Sequence, residues 1–280
     1  IGNALAPIAV KERIPDRPAT GTGVYTTGIQ IGSTLAAALA VPVAGLLGGW
    51  RWSLAAFSVS ACGILAAWLL LMRGEGPHVR ASLPHLPFRS PVAWLLVAIF
   101  ASMGSAYYGL NAWLPDAYAE RGWSDASAGA LLAAMNLTAI PASFVIPWLS
   151  DRHGGRQPWL FALSFVFVTG GVGLVAVPDG AYAWSLLAGI SQGGMFALVM
   201  TLPLDLEERP ERVGGLVAMM LGLGYTIAAA SPFLLGAVRD ATGSFDGPLW
   251  VAAGFLVGLV VWIVLLGRAR RRHEARPAGA

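Results

Sequence analysis

The amino-acid sequence predicts an all-α, polytopic membrane protein, and three observations lead there. Hydrophobic residues make up 56% of the 280 and charged residues only 12%, against about 45–50% and about 25% in soluble globular domains. The charged residues gather in short runs separated by stretches of about 20 apolar residues, the length of a helix that crosses a bilayer core. The basic residues also alternate from loop to loop, as the positive-inside rule requires of a helical membrane protein.

The opening IGNALAPIAV is apolar, too short to span a bilayer or to act as a signal peptide, and begins with Ile1 rather than Met. It is expected to be the inner end of a span that starts upstream. Eight complete spans follow, at about 20–44, 50–72, 91–115, 127–149, 158–177, 182–204, 213–238 and 248–267. Of the 18 basic residues, 15 fall in one set of loops and the tail; only Arg51, Arg121 and Arg239 fall in the other. The larger set is expected in the cytoplasm, which places KERIPDRP and the C-terminus there, in a bacterial-type inner membrane.

RGEGPHVRASLPHLPFRS, residues 73–90, is rich in Pro and charge and reads as a cytoplasmic linker between two bundles. The expected organisation is therefore residues 1–72 as the end of an N-terminal bundle, 73–90 as linker, 91–267 as a C-terminal six-helix bundle and 268–280 as a basic tail. Internal similarity supports two related halves. GIQIGSTLAAALAVPVAGLLGGWRW from Gly28 parallels GYTIAAASPFLLGAVRDATGSFDGPLW from Gly224, each with a Pro, a following Gly and a Trp-marked next span.

Composition excludes several functions. The net charge of +3 and pI near 9.4 come from loop residues that build no continuous basic face, so nucleic acid is not an expected partner. Cys62 is the only cysteine and lies in an apolar stretch, which excludes an internal disulfide framework and a CxxC metal site. There is no HExxH, no GxSxG with its partners and no clustered intramembrane His and Asp, so neither an enzyme nor a cofactor is expected. A polytopic membrane enzyme or a receptor is the rival from another class.

A carrier needs polar groups at mid-membrane depth, where an uncompensated polar side chain is costly. Tyr25, Thr26, Gln30 and Ser33 share a face of the first complete span. Tyr107, Tyr108 and Asn111 cluster in the third, Asn136 and Thr138 interrupt the fourth, and Ser185, Gly189, Gln192, Met195 and Phe196 form a mixed face of the sixth. Tyr225 is the remaining polar aromatic. Each can equally be interhelical glue. No Asp, Glu, Lys, Arg or His occupies the middle of a span, so the site is neutral, hydrogen-bonding and aromatic. That suits a small polar or weakly charged solute and argues against a cation-selective pump. Gly28 and Gly32, Gly189 and Gly193, and Gly254 and Gly258 form GxxxG pairs, and Pro42, Pro141, Pro203 and Pro232 are expected to kink their spans.

The turn PWLSDRHGGRQ, with Asp151, Arg152, Gly154 and Arg156, resembles the GxxxDRxGRR loop of the major facilitator superfamily, departing from it at Pro147 and Gly155. The strings AYYGLNAWLP, GALLAAMNLTAIPASFVIPWLSDR and GISQGGMFALVMTLPLD resemble its cyanate and 2-nitroimidazole permease-like branch. The resemblance implies a major facilitator-type bundle, seen here as spans 4 to 12 of a 12-helix fold, that moves a small anion or polar organic solute by alternating access. A drug or metabolite exporter of the same fold is the alternative. It implies that Asn3, Tyr107, Tyr108, Asn111 and Gln192 line the central cavity, with Tyr25, Gln30 and Asn136 flanking it. It makes Asp151, Arg152, Gly154 and Arg156 a conformational latch, Asp151 accepting from a neighbouring helix N-terminus and the arginines pairing with Glu207, Glu208 or Glu211. The implied partners are the solute, the lipid bilayer and a coupling ion such as a proton, acting through spans absent here; a monomer is expected.

Overall fold

A computed structural model of the protein describes residues 2–71, 86–207 and 209–274, apart from the side chains of a few of them. The described residues are helical, with no strand among them. The helices are α1 (Gly2–Arg13), α2 (Pro18–Leu47), α3 (Trp50–Leu71), α4 (Pro91–Glu120), α5 (Asp125–His153), α6 (Gln157–Ala176), α7 (Ala181–Leu206), α8 (Pro210–Ala229), α9 (Ser231–Thr242) and α10 (Asp246–Glu274). Seven stretches among the described residues are long and apolar enough to cross a membrane. The segment expected to be one span at 213–238 is one of these stretches, Arg212–Thr242, but its helix is interrupted: α8 stops at Ala229, and α9 restarts at Ser231 with Pro232 in its first turn. Proline cannot donate to the preceding turn, so the ladder is interrupted there. Pro42, Pro141 and Pro203 lie inside continuous helices.

The chain divides into two compact units. One joins residues 1–27 to 84–280; the other is residues 28–83. In the second, much of α2 and most of α3 expose apolar side chains, including Trp50, Trp52 and Trp68, which is the surface a lipid-facing helix presents.

The first unit holds the core. Helix starts follow from the sequence: Ser90 accepts from the Ala93 N–H ahead of Pro91, and Ser124 accepts from Ser127 N–H ahead of Asp125, so each hydroxyl satisfies a donor that the first turn leaves open. α7 packs against both α5 and α6, and α4 packs against α8 and α10. Glycine permits the closest of these approaches. A Cβ on Gly189 would run into the backbone of Met135, and one on Gly193 into the backbone of Ala139. Of the three GxxxG pairs, this is the one that seats two backbones together; Gly28, Gly32 and Gly254 face open space, and Gly258 has only side chains near it.

Arg121 staples the end of the bundle remote from Arg156. Its guanidinium donates to the carbonyls of Leu174 (2.9 Å) and Val175 (3.4 Å) and to Asp246 (2.7 Å), while the Tyr118 hydroxyl donates to the same Leu174 carbonyl at 2.8 Å. Cations at exposed helix C-terminal carbonyls satisfy groups the helix cannot.

Gly193→Ala is expected to destabilise the purified protein by about 1–3 kcal/mol, the range for overpacking a close interface. An unchanged thermal midpoint in detergent would contradict the tight α5–α7 contact.

Candidate functional site

Tyr107, Tyr108 and Asn111 fall on adjacent positions of α4, and Asn136 faces them from α5. The Tyr107 hydroxyl donates to Asn136 Oδ1 at 3.3 Å, Asn136 Nδ2 donates to Asn111 Oδ1 at 3.1 Å, and Asn111 Nδ2 donates back to the Tyr107 carbonyl at 2.9 Å. Three side chains from two helices thus close a ring of hydrogen bonds, which fixes their orientation. The Tyr107 and Tyr108 rings meet edge to face, 5.3 Å apart.

Depth follows from helix rise. Tyr107 lies about 24 Å along α4 from its Pro91 end and Asn136 about 26 Å along α5 from its His153 end, at 1.5 Å per residue. Both ends carry the arginine-rich loops, so the ring sits midway through the bundle. Tyr225 lies at about 22 Å in α8 and Gln192 at about 21 Å in α7 on the same scale. Nearer the basic end, at about 10–15 Å, come Tyr25, Phe100 and Phe196.

These aromatics form a layer between the polar ring and the basic end. Phe100 meets Tyr225 edge to face at 4.8 Å and Phe196 at 6.3 Å. Tyr225 is within electrostatic range of Tyr25, Tyr107 and Tyr108. The Tyr25 hydroxyl is buried and has no hydrogen-bond partner among the described residues, and the same holds for Gln192 Oε1. No charged side chain occurs at this depth in any of these helices.

The structure thus brings Tyr107, Tyr108, Asn111 and Asn136 into one region, with Gln192 buried in α7 at the same depth and Tyr25 in the aromatic layer nearer the basic end. Gln30 belongs to the second unit, where its carbonyl accepts from Ser33 at 3.0 Å. The side chain of Asn3 lies outside the described residues. Tyr225, the remaining polar aromatic of the sequence, joins the region, and so does Phe100, which the sequence did not mark. Tyr225 has no other polar residue beside it at helical spacing except Thr226, and Phe100 is indistinguishable in sequence from a core phenylalanine.

The DRHGGR turn builds a second constellation at the basic end. Arg156 is only 11% exposed and pairs with two carboxylates, Asp151 at 2.7 Å and Asp205 at 3.0 Å, while also donating to Ser150 Oγ at 3.2 Å. The other oxygen of Asp151 accepts from both the backbone N–H (2.6 Å) and the hydroxyl (2.7 Å) of Thr20. Thr20 stands in the first turn of α2, where N–H groups lack intrahelical partners and the helix dipole is positive, so a carboxylate there is doubly favoured. Further up the same interface the hydroxyls of Thr27 and Ser143 meet at 2.8 Å, and Gly23 leaves no room for a side chain between α2 and the Ser143 carbonyl. Lys11 donates to the Leu204 carbonyl at 2.7 Å, tying the end of α1 to the end of α7.

The acids paired with Arg156 therefore differ from those expected. Glu207 pairs with Arg212 at 3.7 Å, and the side chains of Glu208 and Glu211 lie outside the described residues. Arg152 lies over the Trp148 ring, 5.6 Å from its centre. Gly154 and Gly155 both have positive φ, +73° and +75°, which explains why Gly155 stands where a basic residue is common in the motif: side chains rarely adopt that backbone. A cavity of about 610 Å³ opens beside the node, lined by Asp16, Gly155, Arg156, Gln157 and Arg270.

Apolar helices long enough to cross a membrane, around an uncharged polar region at mid-depth and with an ion-pair cluster at one end, are the architecture of a polytopic carrier. The chain belongs to the Major Facilitator Superfamily, whose sequence profile matches residues 1–229. It is 28% identical over 276 residues to the uncharacterized transporter YycB of Bacillus subtilis, covering 96% of this chain and 66% of that one. It is 29% identical over 261 residues to the cyanate transport protein CynX of Escherichia coli (92% and 68%) and 27% identical over 274 residues to the 2-nitroimidazole transporter of the same organism (96% and 69%). The chain thus spans about two thirds of the length of these relatives. In fold it is similar to the transporter FucP in its outward conformation, with a TM-score of 0.73 at 13% identity over 94% of this chain and 72% of the other.

Asp151→Asn keeps a hydrogen-bond acceptor for Thr20 but removes one of the two charges that neutralise buried Arg156. It is expected to lower stability by about 1–3 kcal/mol; a thermal midpoint equal to that of the unaltered protein would contradict the node.

Proposed function

We propose that the protein is a secondary active carrier of a small polar organic solute or a small delocalised anion, of the cyanate and nitroimidazole kind, working by alternating access. The observation that carries this reading is the neutral Tyr107–Asn111–Asn136 ring held at mid-depth above an end of the bundle tied shut through Thr20, Asp151, Arg156 and Asp205. A hydrogen-bonding, uncharged site can exchange its bonds for those of a polar solute without stranding a charge in a low-dielectric interior. The names of the two Escherichia coli relatives point to the same solutes.

In this reading residues 1–72 complete an N-terminal half as its fourth to sixth spans, residues 73–90 link the halves, and residues 91–267 form the second half. The protein resides in the inner membrane with its arginine-rich loops and C-terminus in the cytoplasm, the orientation that the loop bias favours. Asp151, Gly154 and Arg156 act as the cytoplasmic latch: carboxylate and guanidinium hold α2 and α7 to the end of α5 while the site faces outward, and separate when it faces inward. Arg152, stacked on Trp148, steadies the turn. Gln192 and Asn3 complete the lining from the tenth and fourth spans, and Gln30 lines the flank on the fifth. Proton coupling, where it operates, draws on charged groups outside these spans, because none lies at mid-depth here.

Uptake of labelled cyanate and 2-nitroimidazole by cells or vesicles carrying the protein tests the reading. Tyr107→Phe and Asn111→Ala are each expected to cut uptake about tenfold, equivalent to one hydrogen bond of about 1.4 kcal/mol. Asp151→Asn is expected to slow uptake while membrane insertion is unchanged. Uptake at the unaltered rate in all three, at equal expression, would sink the proposal.

A further inference from the structure

We infer that the hydroxyl of Tyr25 and the ring of Tyr225 together recognise the transported solute, and that this solute is a flat, conjugated molecule or monoanion bearing a hydrogen-bond acceptor. The inference rests on the reading of the mid-depth region as the transport site, and deepens it by assigning two residues and a substrate class.

Hydrogen-bond bookkeeping leaves Tyr25 open, together with Gln192, Ser185 and Ser191 of α7. The Tyr107 hydroxyl is committed to Asn136, and the two asparagine amides hold each other and the α4 and α5 backbones. The Tyr25 hydroxyl is buried and has no partner among the described residues. A buried phenol without a partner loses its hydration and gains nothing in return, so a residue that served only to pack would be better as Phe. An incoming acceptor restores the missing bond. Tyr25 is also held in place: its helix is fixed on either side by the bonds of Thr20 to Asp151 and Thr27 to Ser143.

Tyr225 supplies the surface. Phe100 meets its ring edge to face at 4.8 Å, 81° from coplanar, which holds the ring in a set orientation. Tyr25, Tyr107 and Tyr108 all lie within electrostatic range of it, so phenolic groups from three helices, α2, α4 and α8, approach one another. Aromatic faces and O–H donors favour a flat conjugated solute that offers an acceptor at its edge. The absence of Lys, Arg and His at this depth disfavours a dianion or a localised anion, whose desolvation nothing would offset. A cation held over the rings alone is the rival class, and the test includes it.

Calorimetric titration of the purified protein with 2-nitroimidazole, benzoate, cyanate, fucose and tetraethylammonium decides the matter. The expected result is binding of the flat acceptor-bearing probes. Tyr25→Phe should weaken all of these by about tenfold, one hydrogen bond, without lowering the thermal midpoint of the unliganded protein. Tyr225→Leu should weaken 2-nitroimidazole and benzoate about tenfold and cyanate less than twofold, while Tyr225→Phe, which keeps the ring and the packing, retains most ring binding. Flat probes that bind equally well to Tyr25→Phe and Tyr225→Leu, yet lose affinity in Asn111→Ala, would overturn the assignment and leave the transport site standing. Binding of fucose or tetraethylammonium alone would overturn the substrate class in the same way. Binding of no probe to the folded protein would overturn both readings.

Discussion

Arg156 is buried at the membrane edge between two carboxylates, and taking a guanidinium out of water is tolerable only while its partners stay within hydrogen-bond distance. Asp151 is shared between that arginine and the first turn of α2, so the ion pair and the helix terminus depend on one side chain. Moving α2 away from α5 would strand a carboxylate charge and expose unsatisfied N–H groups together. In this arrangement each of these groups is paired.

From this node the rest of the first unit can be followed along its helices. α2 carries Thr20 at the closure and Tyr25 at the aromatic layer five residues on, while α5 carries Asp151 at the closure and Asn136 in the polar ring. A solute that engages Tyr25 and Asn136 touches the same two helices that the node joins. Asn136 and Asp151 therefore share α5, and Tyr25 and Thr20 share α2. The close glycine packing of α7 on α5 makes the partner of α2 a rigid pair.

Much of this was legible in the sequence because the bilayer imposes a coarse physical filter. Charge is excluded from about 20-residue stretches, so the helices declare themselves, and the Asp151–Arg156 turn stands out as charged and glycine-rich between apolar runs. Tyr107, Tyr108, Asn111 and Asn136 were legible as polar interruptions. What the sequence hid depends on which face meets which. The break at Ala230 reads as one more apolar span with a proline in it. Thr20, Asp205 and Lys11 sit at helix ends, where polar residues are ordinary, and only the fold brings Thr20 to Asp151 across 131 positions. Phe100 was hidden because an aromatic that orients a site has the composition of one that fills a core. Two of the three GxxxG spacings carry no close backbone contact, since spacing fixes a stripe of small residues but not what covers it.

The most direct test of the account is a distance measurement across the closure. Spin labels at exposed Arg17 and His153, in a Cys62→Ser background, report the separation of α2 from the end of α5 by pulsed electron resonance. The account predicts a single short distance in the unliganded protein, and a second, longer population in Asp151→Asn. An identical distribution in both would contradict the claim that this buried ionic contact holds the basic end shut.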